Sequence, residues 1–381
     1  MKLCATTTRA STLCAIPNRP DDRIERFDYT FDKSLIASAP ITPRDGSRLL
    51  AYDRETETIS HRHFSSILDL LRPNDLLIVN NTRVFPARLH ARKGISGGKV
   101  ELLLLQEAAQ FAGDGHLYWE ALVKGHITDE TILTLSGGGE ARLVKALDGG
   151  RKVLAIGLKD QSDLYAYLEK WGEVPLPPYI LQRRREEARL LRSGLKDQTD
   201  TDSYQTVYAK PIGSAAAPTA GLHFTKRLIA ALRKKGVVMA EVTLNIGMDT
   251  FKPIAADRLL DHKMSGETYE VSTKTANAIA KAKALGGRVI AVGTSATRSL
   301  ESAANAEGTV MPMKAKTELF ISPGYTFRAV DGLITNFHPP RATGLVLVSA
   351  FLGYNAASRL YQEALEKRYR LFSYGDAMLI L

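Results

Sequence analysis

The stretch 204–225, with the sequence YQTVYAKPIGSAAAPTAGLHFT, combines small residues, hydroxyls and one imidazole in a way that suits a ligand-binding loop. Gly213 and Gly221 permit backbone angles that other residues resist, and the small side chains between them let a ligand approach the backbone. Thr225 is the predicted N-cap of the helix that follows, whose first N–H groups would face an anion. His223 is open to two interpretations of equal weight: a buried histidine satisfied by its neighbours, or a group that transfers protons.

Two further polar loops follow apolar segments. The sequence GTSATR at 293–298 comes directly after a predicted strand at 288–292, and NFHPPR at 336–341 follows the apolar segment 332–335. A strand, a Gly-Thr-Ser turn and a helix form an anion- or hydroxyl-binding crevice at the carboxyl end of a parallel strand. Asp376 precedes an apolar segment and is interpreted either as a structural cap or as a site group.

The segment 76–157 has the pattern of a small antiparallel barrel or sandwich. Its short apolar runs are separated by glycine-rich turns, with no helical pattern between them. The triple glycine at 137–139 is interpreted as a hairpin tip, because strands are predicted on both sides of it. The predicted strands of this segment are 76–79, 84–91, 99–105, 117–123, 131–135, 140–147 and 153–156.

The segments 27–75 and 158–381 have the alternating pattern of an α/β domain. Together with the barrel segment they predict a two-domain protein, with an α/β domain and an antiparallel β-barrel. The predicted strands outside the barrel are 206–209, 237–244, 288–292 and 317–321, and the predicted helices are 161–170, 226–235, 272–285, 294–301 and 355–370.

Two other segments lack the periodicity of packed structure. Residues 1–26 hold Ser, Thr, Arg and Pro without a sustained apolar period, and we expect there either a disordered extension or translation from an upstream start codon. Between residues 183 and 202, arginines alternate with acids. This second segment is either a solvated, partly helical and mobile loop or a flexible arm that contacts RNA phosphates.

The composition is that of a basic globular protein. The chain has 381 residues, a formal net charge of +10 and a pI near 9.4, which leaves open both a nucleic-acid partner and a merely basic surface. Because the two cysteines are Cys4 and Cys14, the remainder has no disulfide framework, thiolate nucleophile or cysteine metal site. His61 and His63 lack a third ligand in the sequence, and no apolar run approaches the length of a membrane span. The residues alone therefore predict an enzyme that acts on nucleic acid.

An ordered series of motifs resembles the S-adenosylmethionine:tRNA ribosyltransferase-isomerase family of queuosine biosynthesis. The stretch 204–225 carries the segments YQTVYAK and GSAAAPTAGLHFT, and it is preceded by GEVPLPPYI. It is followed by GTSATRSLES, TNFHPPRAT and FSYGDAMLI. The segments FDYTF, RDGSRLL, NNTRVFPARL, GGKVELLLL and ELFISPGYTF also match in order, so that the resemblance spans roughly 27–381.

The resemblance implies a bacterial, cytoplasmic enzyme and favours a monomer. It also implies an α/β main domain with mixed sheet, plus a smaller inserted antiparallel β-barrel domain. It implies transfer of the ribosyl part of S-adenosylmethionine to 7-aminomethyl-7-deazaguanine at the wobble position of a tRNA anticodon. The products would be epoxyqueuosine-tRNA, adenine and methionine, with no metal and no bound cofactor, because S-adenosylmethionine is a co-substrate. In the implied mechanism a proton leaves the 5′-carbon, the ribose opens, adenine departs, and the aminomethyl group attacks the sugar.

Such chemistry needs a general base, a proton donor for adenine and groups that orient the ribose hydroxyls. Residue chemistry, and not the resemblance, supplies the candidates for these roles. The catalytic candidates are His223, Glu267 and Asp376; the candidates for binding S-adenosylmethionine are Thr219, Thr294, Arg298, Asn336 and His338; and the candidates for contacting tRNA phosphates are Arg83, Arg88 and Arg341.

The sequence departs from the family pattern at several positions. Asn245 and Ser265 stand where the pattern has histidine, Asp249 stands where it has glycine, and Asn81 stands where it has aspartate. Asparagine retains hydrogen bonding but does not transfer protons as imidazole does. These departures keep open a catalytically impaired tRNA-binding homologue and a related enzyme with a different acceptor.

Overall fold

The computed structural model describes residues 22–111, 115–159, 163–191, 200–247 and 252–381. The strands in this part of the chain are β1 (Arg48–Asp53), β2 (Thr58–His63), β3 (Leu76–Asn80), β4 (Arg83–Val84), β5 (Arg88–Lys93), β6 (Lys99–Glu107), β7 (Leu117–Lys124), β8 (Ile132–Leu135), β9 (Glu140–Ala146), β10 (Arg151–Gly157), β11 (Ile212–Ser214), β12 (Val238–Leu244), β13 (Glu267–Val271), β14 (Val289–Val292), β15 (Met313–Thr317), β16 (Gly332–Asn336) and β17 (Ala377–Ile380).

Helices connect most strands of the larger unit, and none in the described ranges is long and apolar enough to cross a membrane. They are α1 (Ile67–Leu70), α2 (Leu164–Trp171), α3 (Pro178–Leu191), α4 (Asp200–Ser203), α5 (Lys226–Lys235), α6 (Thr273–Ala284), α7 (Thr294–Ala303), α8 (Thr343–Leu352) and α9 (Tyr354–Glu366).

A nine-stranded mixed sheet forms the centre of the larger unit, with the order β15-β13-β12-β3-β14-β16-β17-β1-β2. Strands β12, β3, β14 and β16 run parallel, whereas β17 pairs antiparallel with β16 and parallel with β1. In β3, Leu76 and Ile78 pack on one face with α6 to α9, while Leu77 and Val79 pack on the other with α1 and α5. A strand buried on both faces has a continuous apolar sequence, which is the pattern of β3. The predicted α/β domain with a mixed sheet is confirmed.

Strands β5 to β10 close into an antiparallel barrel with the order β10-β7-β6-β5-β8-β9. Inward side chains such as Leu89, Leu102, Ala141 and Leu154 form its core. Gly137–Gly139 lie between β8 and β9 with φ between 87° and 112°, so the triple glycine is the hairpin tip that the sequence predicted. The predicted antiparallel barrel is confirmed.

The first predicted barrel strands lie elsewhere. The run at 76–79 is part of β3 in the large sheet, and Arg83–Val84 pair with β11. The predicted strand 84–91 therefore begins only at Arg88, because its first residues lead from one unit to the other. The domain boundaries 27–75, 76–157 and 158–381 stay a prediction, and the strand pairing favours Arg88 over Leu76 as the start of the inserted barrel.

Residues 22–26, which the sequence placed in a disordered extension, are ordered. Ile24 is buried in the main core, and Arg23 forms a β-bridge with Arg258. Nothing in the sequence indicated this order, because Ile24 is a single apolar residue that packs in the core without an apolar period around it. Residues 1–21, including both cysteines, lie outside the described residues.

Two local predictions are wrong. The segment 206–209 is a turn instead of a strand, and the strand predicted at 317–321 is β15 and ends at Thr317. The arginine-rich segment begins within helix α3, which agrees with its interpretation as partly helical. In α3, Arg183 and Glu187 form an ion pair of 3.0 Å at i,i+4 spacing, which stabilises a helix. Residues 192–199 of the predicted loop lie outside the described residues. The helix after Thr225 is confirmed, with the Thr225 hydroxyl accepting from the backbone N–H of Leu228 at 3.1 Å.

Candidate active site

A cleft lies at the carboxyl ends of the parallel strands β12, β14 and β16. Leu244 ends β12, Gly293 and Thr294 follow β14, and Asn336 ends β16; all four residues line the cleft. The crevice predicted at the end of 288–292 therefore exists and is wider than one loop.

The cleft brings together most of the predicted site residues. Glu267 lines it, together with every residue predicted to bind S-adenosylmethionine: Thr219, Thr294, Arg298, Asn336 and His338. His223 and Asp376 lie behind the cleft wall, and the three arginines predicted for phosphate contacts lie outside it.

Glu267 and Arg298 form a buried ion pair in the cleft wall, with side chains 8% and 9% exposed. Glu267 Oε1 also accepts from the backbone N–H of Gly247 at 2.8 Å, and Arg298 Nε donates to the Leu319 carbonyl at 3.0 Å. Arg298 Nη2 has no hydrogen-bond partner in the part of the chain that the structure describes. Because an unpartnered buried guanidinium N–H is costly, we expect a ligand oxygen in the cleft to complete its contacts.

Two helices begin at the cleft without a side-chain cap. The N-cap positions of α7 and α8 are Gly293 and Ala342, and neither provides a side-chain hydrogen bond. The first N–H groups of both helices are thus left for water or for a ligand that carries negative charge. Gly293 has φ of 91°, a backbone conformation that glycine adopts without strain.

His338 is a neutral imidazole held in one orientation. Its Nε2 lies 2.8 Å from the Thr335 hydroxyl, and its backbone N–H donates to the Tyr361 hydroxyl at 2.9 Å. Burial lowers the pKa of His338 to about 4. A Cβ atom on Gly344 would lie 2.4 Å from His338 Nδ1, so this glycine lets the first turn of α8 approach the ring.

His223 is a buried residue that contacts the cleft through Asn336. Its Nδ1 lies 2.7 Å from the Ser47 hydroxyl and its Nε2 lies 3.2 Å from Asn336 Nδ2. Because an amide nitrogen only donates, His223 Nε2 accepts, and Nδ1 carries the proton. Phe64 stacks on the ring with 4.9 Å between centroids. Burial and then the charge of Arg370 lower the pKa of His223 to about 3. These contacts are those of a neutral ring that orients Asn336.

Asp376 has the contacts of a structural cap. It is 2% exposed and accepts from the backbone N–H groups of Arg48 at 2.9 Å and Arg370 at 2.8 Å. Of the two interpretations of this carboxylate, its surroundings favour the structural one, because one oxygen holds the first residue of β1 and the other holds the backbone of Arg370, which precedes β17.

Replacement of Asp376 by Ala is expected to destabilise the fold. Each of the two N–H groups left without an acceptor costs about 1–3 kcal/mol in the free energy of unfolding, which urea titration measures. Asp32→Ala is the matched control, because the Asp32 side chain is 53% exposed and also accepts from a backbone N–H, that of Ser34. An Asp376→Ala variant of full stability that has lost turnover would return Asp376 to the catalytic residues.

The three predicted phosphate-contacting arginines differ in availability. Arg83 is exposed, whereas Arg88 is 13% exposed and bonds Glu101 at 3.1 Å and the Leu176 carbonyl at 3.3 Å. Arg341 pairs with Asp28 at 2.9 Å and remains 41% exposed. Arg83 and Arg341 can therefore reach a phosphate without loss of a buried contact.

The cleft also contains residues that sequence reasoning missed. Tyr179, Phe372 and Ser373 line it, and the Tyr179 hydroxyl lies 2.6 Å from Ser373 Oγ. Phe372 has φ of 70°, an uncommon conformation for a bulky residue that clusters at functional sites. The FSYGDAMLI motif contained Phe372 and Ser373, but their place in the cleft depends on a backbone angle that the sequence does not reveal.

The positions that depart from the family pattern lie in different parts of the structure. Asn245 and Ser265 line a second crevice, between the barrel and the large sheet. Asn81 donates to Glu241 at 3.0 Å and accepts from Thr243 at 2.7 Å. Asp249 lies outside the described residues.

No group of three or more His, Cys, Asp or Glu side chains within the described ranges is placed to hold a metal ion. His61, one of the two histidines weighed as ligands in the sequence, instead contacts the Tyr369 hydroxyl at 2.7 Å and Glu363 at 3.1 Å.

Comparisons with known proteins agree on one family. The model of the family described as queuosine biosynthesis protein matches residues 24–380. A protein of Heliobacterium modesticaldum named S-adenosylmethionine:tRNA ribosyltransferase-isomerase is 45% identical over 359 residues, which cover 93% of this chain and 98% of the relative. The chain is also similar to the crystal structure of an S-adenosylmethionine tRNA ribosyltransferase from Thermotoga maritima, with a TM-score of 0.51 and 33% identity over 93% of this chain and 100% of the other.

Proposed function

The chain belongs to the family of queuosine biosynthesis proteins, and we propose that it transfers the ribosyl moiety of S-adenosylmethionine to 7-aminomethyl-7-deazaguanine at the wobble position of tRNA and isomerises it. The family and the enzyme class predicted from the sequence are confirmed by the match and by the relative's name. The acceptor base and the products, epoxyqueuosine-tRNA, adenine and methionine, are part of our proposal. It is carried by the cleft in which Glu267 meets every residue predicted to bind S-adenosylmethionine.

The polar groups of the cleft suit the parts of S-adenosylmethionine. We place its carboxylate near the first turn of α7 and Arg298 Nη2, since both offer N–H donors without partners. The ribose hydroxyls would then lie near Asn336 and Thr219, which also line the cleft. Aromatic side chains also line the cleft, and their faces attract a cationic sulfur; they are Tyr179, Phe320, Phe337 and Phe372.

Glu267 is our choice for the general base. It is the only carboxylate among the described residues that line the cleft, and removal of a proton from C5′ beside the sulfonium needs a base within hydrogen-bond reach. Ring opening would follow, with loss of adenine, attack of the aminomethyl nitrogen on the sugar and loss of methionine as the epoxide forms. In this scheme His223 acts by orienting Asn336, and His338 remains a neutral contact for the ligand.

The tRNA backbone is the proposed partner of the basic surface. Arg83 and Arg341 are exposed, and the net charge of +10 favours an anionic polymer through counterion release. A cytoplasmic location and a monomeric state belong to the same proposal.

Purified protein mixed with S-adenosylmethionine and precursor tRNA is expected to release adenine. Liquid chromatography measures the adenine, and mass spectrometry of the digested tRNA shows the added epoxide on the wobble nucleoside. Substrate tRNA with unmodified guanine at the wobble position is the control, because it lacks the attacking amine. An unchanged wobble nucleoside at saturating substrate would contradict the proposal.

The catalytically impaired homologue remains the second candidate, because two departures from the family pattern line one crevice. Such a protein would bind tRNA with steep salt dependence but release no adenine. The double variant Asn245→His, Ser265→His separates the two cases, since only an impaired enzyme should gain turnover from restored imidazoles.

A further inference from the structure

A second crevice joins the cleft on the side of the barrel. It shares Ile246 and Glu267 with the cleft. Its inner wall comes from the loops after β12 and before β13, and its outer wall from barrel strands β6, β7 and β10. A group bound in the crevice would therefore meet a group bound in the cleft at Glu267.

The barrel wall of the crevice is shaped by a β-bulge. The pairing of β6 with β7 shifts between Leu104 and Gln106, so that Leu105 is the extra residue. Leu105 and Gln106 both line the crevice. Bulges re-aim side chains and occur next to active sites, and this one brings an apolar side chain and an amide to the same wall.

Gly213 makes room in the opposite wall for the side chain of Asn245. Gly213 and Gly247 line the crevice, and a Cβ atom on Gly213 would lie 2.7 Å from the amide nitrogen of Asn245. Asn245 accepts from the Thr82 hydroxyl at 2.9 Å and donates to the Thr268 hydroxyl at 3.4 Å. This wall thus offers backbone and a fixed amide, which suit a flat polar ring.

The charged pair of the crevice is Glu120 on β7 and Arg151 on β10. Arg151 Nη1 lies 3.0 Å from Glu120 Oε2, and the side chains are 33% and 12% exposed. Only one oxygen of Glu120 is engaged in this pair. A carboxylate beside a guanidinium presents an acceptor next to a donor, as in recognition of a ring with adjacent N–H and C=O groups.

We infer that this crevice receives the wobble base after it leaves the anticodon stack, with Glu120 accepting from its guanine-type N1–H and 2-amino groups and Arg151 donating to its O6. The inference rests on the proposed function, because the aminomethyl nitrogen of the base must reach the sugar in the cleft. Enzymes that modify a base extrude it, read its Watson–Crick edge and hold it between flat or apolar side chains. Leu105 and Leu122 supply that apolar surface, and Glu267 at the junction faces both substrates.

The first test compares two RNAs on the unaltered protein. An anticodon hairpin with guanosine at the wobble position is expected to bind about tenfold more tightly than the same hairpin with inosine, which lacks the 2-amino group. Fluorescence anisotropy of labelled hairpins measures both dissociation constants. Equal affinities would overturn the inference, and because this binding test needs no turnover, its result is independent of adenine release.

The second test uses Glu120→Gln, which keeps the side chain's shape. Affinity for the guanosine hairpin is expected to fall about ten- to a hundredfold, the preference over inosine should vanish, and affinity for S-adenosylmethionine by calorimetry should not change. Glu101→Gln is the matched control, since Glu101 also pairs with an arginine in the barrel at 3.1 Å but does not line the crevice. If Glu120→Gln kept the preference for guanosine, the assignment would be overturned. It would also be overturned if the variant bound S-adenosylmethionine more weakly while its affinity for RNA was unchanged, and that result would place part of S-adenosylmethionine in the crevice.

Discussion

Replacement of Glu267 by Gln is expected to lower the rate of adenine release by about 10²–10⁴ if Glu267 is the general base. Glutamine keeps the volume and an oxygen for the Gly247 N–H, which now bonds Glu267 Oε1 at 2.8 Å. It loses the negative charge that pairs with Arg298 and the ability to take a proton. Because the change also leaves the buried charge of Arg298 unpaired, the stability of the variant is measured by urea titration beside its rate.

The matched control for Glu267 is Glu270 on the same strand. Glu270 points to the exposed face of β13, is 50% exposed, and lies 3.8 Å from Lys314. Glu270→Gln should leave turnover and stability within experimental error, because an exposed ion pair contributes little. Single-turnover measurements with saturating S-adenosylmethionine separate chemistry from binding. If Glu267→Gln turned over at the wild-type rate, Glu267 would be a structural partner of Arg298 and another group would have to remove the proton.

The barrel was predictable because its information is local. Its strands are short alternating runs, and glycines mark the turns, as at 137–139 between β8 and β9. The order of the large sheet was not predictable in this way, since β3 lies between β12 and β14, far from both in sequence. The segment 76–79 was predicted as a barrel strand but lies in β3 of the large sheet. A short apolar run has the same sequence pattern in a barrel and in the centre of a parallel sheet.

The candidate site shows a similar division. Residues at or just after the ends of strands, such as Asn336 and Thr294, could be predicted, because carboxyl ends of parallel strands meet at one edge. The sequence did not distinguish His223 and Asp376 from reacting groups. Sequence pattern alone does not show whether a buried polar side chain is hydrogen-bonded by its neighbours or is left free for a ligand. The crevice was missed because Glu120 and Arg151 come from two barrel strands and Asn245 from the loop after β12, so that the three meet only in the folded chain.

Acidification is expected to destabilise this protein through its two buried histidines. Burial lowers the pKa of His223 to about 3 and that of His338 to about 4, whereas a histidine in the unfolded chain titrates near pH 6.5. As the pH falls below about 6.5, the unfolded state binds protons that the folded state does not, and stability is lost until the folded-state pKa values are reached. Between pH 7 and pH 5 each histidine should remove about 2 kcal/mol from the free energy of unfolding.

Urea unfolding at pH 7 and pH 5 tests this expectation with three variants. His223→Gln and His338→Gln should each flatten the pH dependence by about 2 kcal/mol, even if both lower stability at pH 7 by removing buried hydrogen bonds. His90→Gln is the control, because the His90 side chain is 52% exposed on the barrel and should leave the slope unchanged. If His223→Gln and His338→Gln lost as much stability between pH 7 and pH 5 as the unaltered protein does, carboxylates and not these rings would cause the acid sensitivity.

The same two rings limit what the site can do near neutral pH. With pKa values lowered to about 3 and about 4, neither ring carries an imidazolium proton to give to departing adenine. A pH–rate profile of adenine release should therefore show no group of histidine type between pH 6 and pH 8. A step in that range that disappears in His223→Gln would reverse this conclusion and make His223 a proton donor in the reaction.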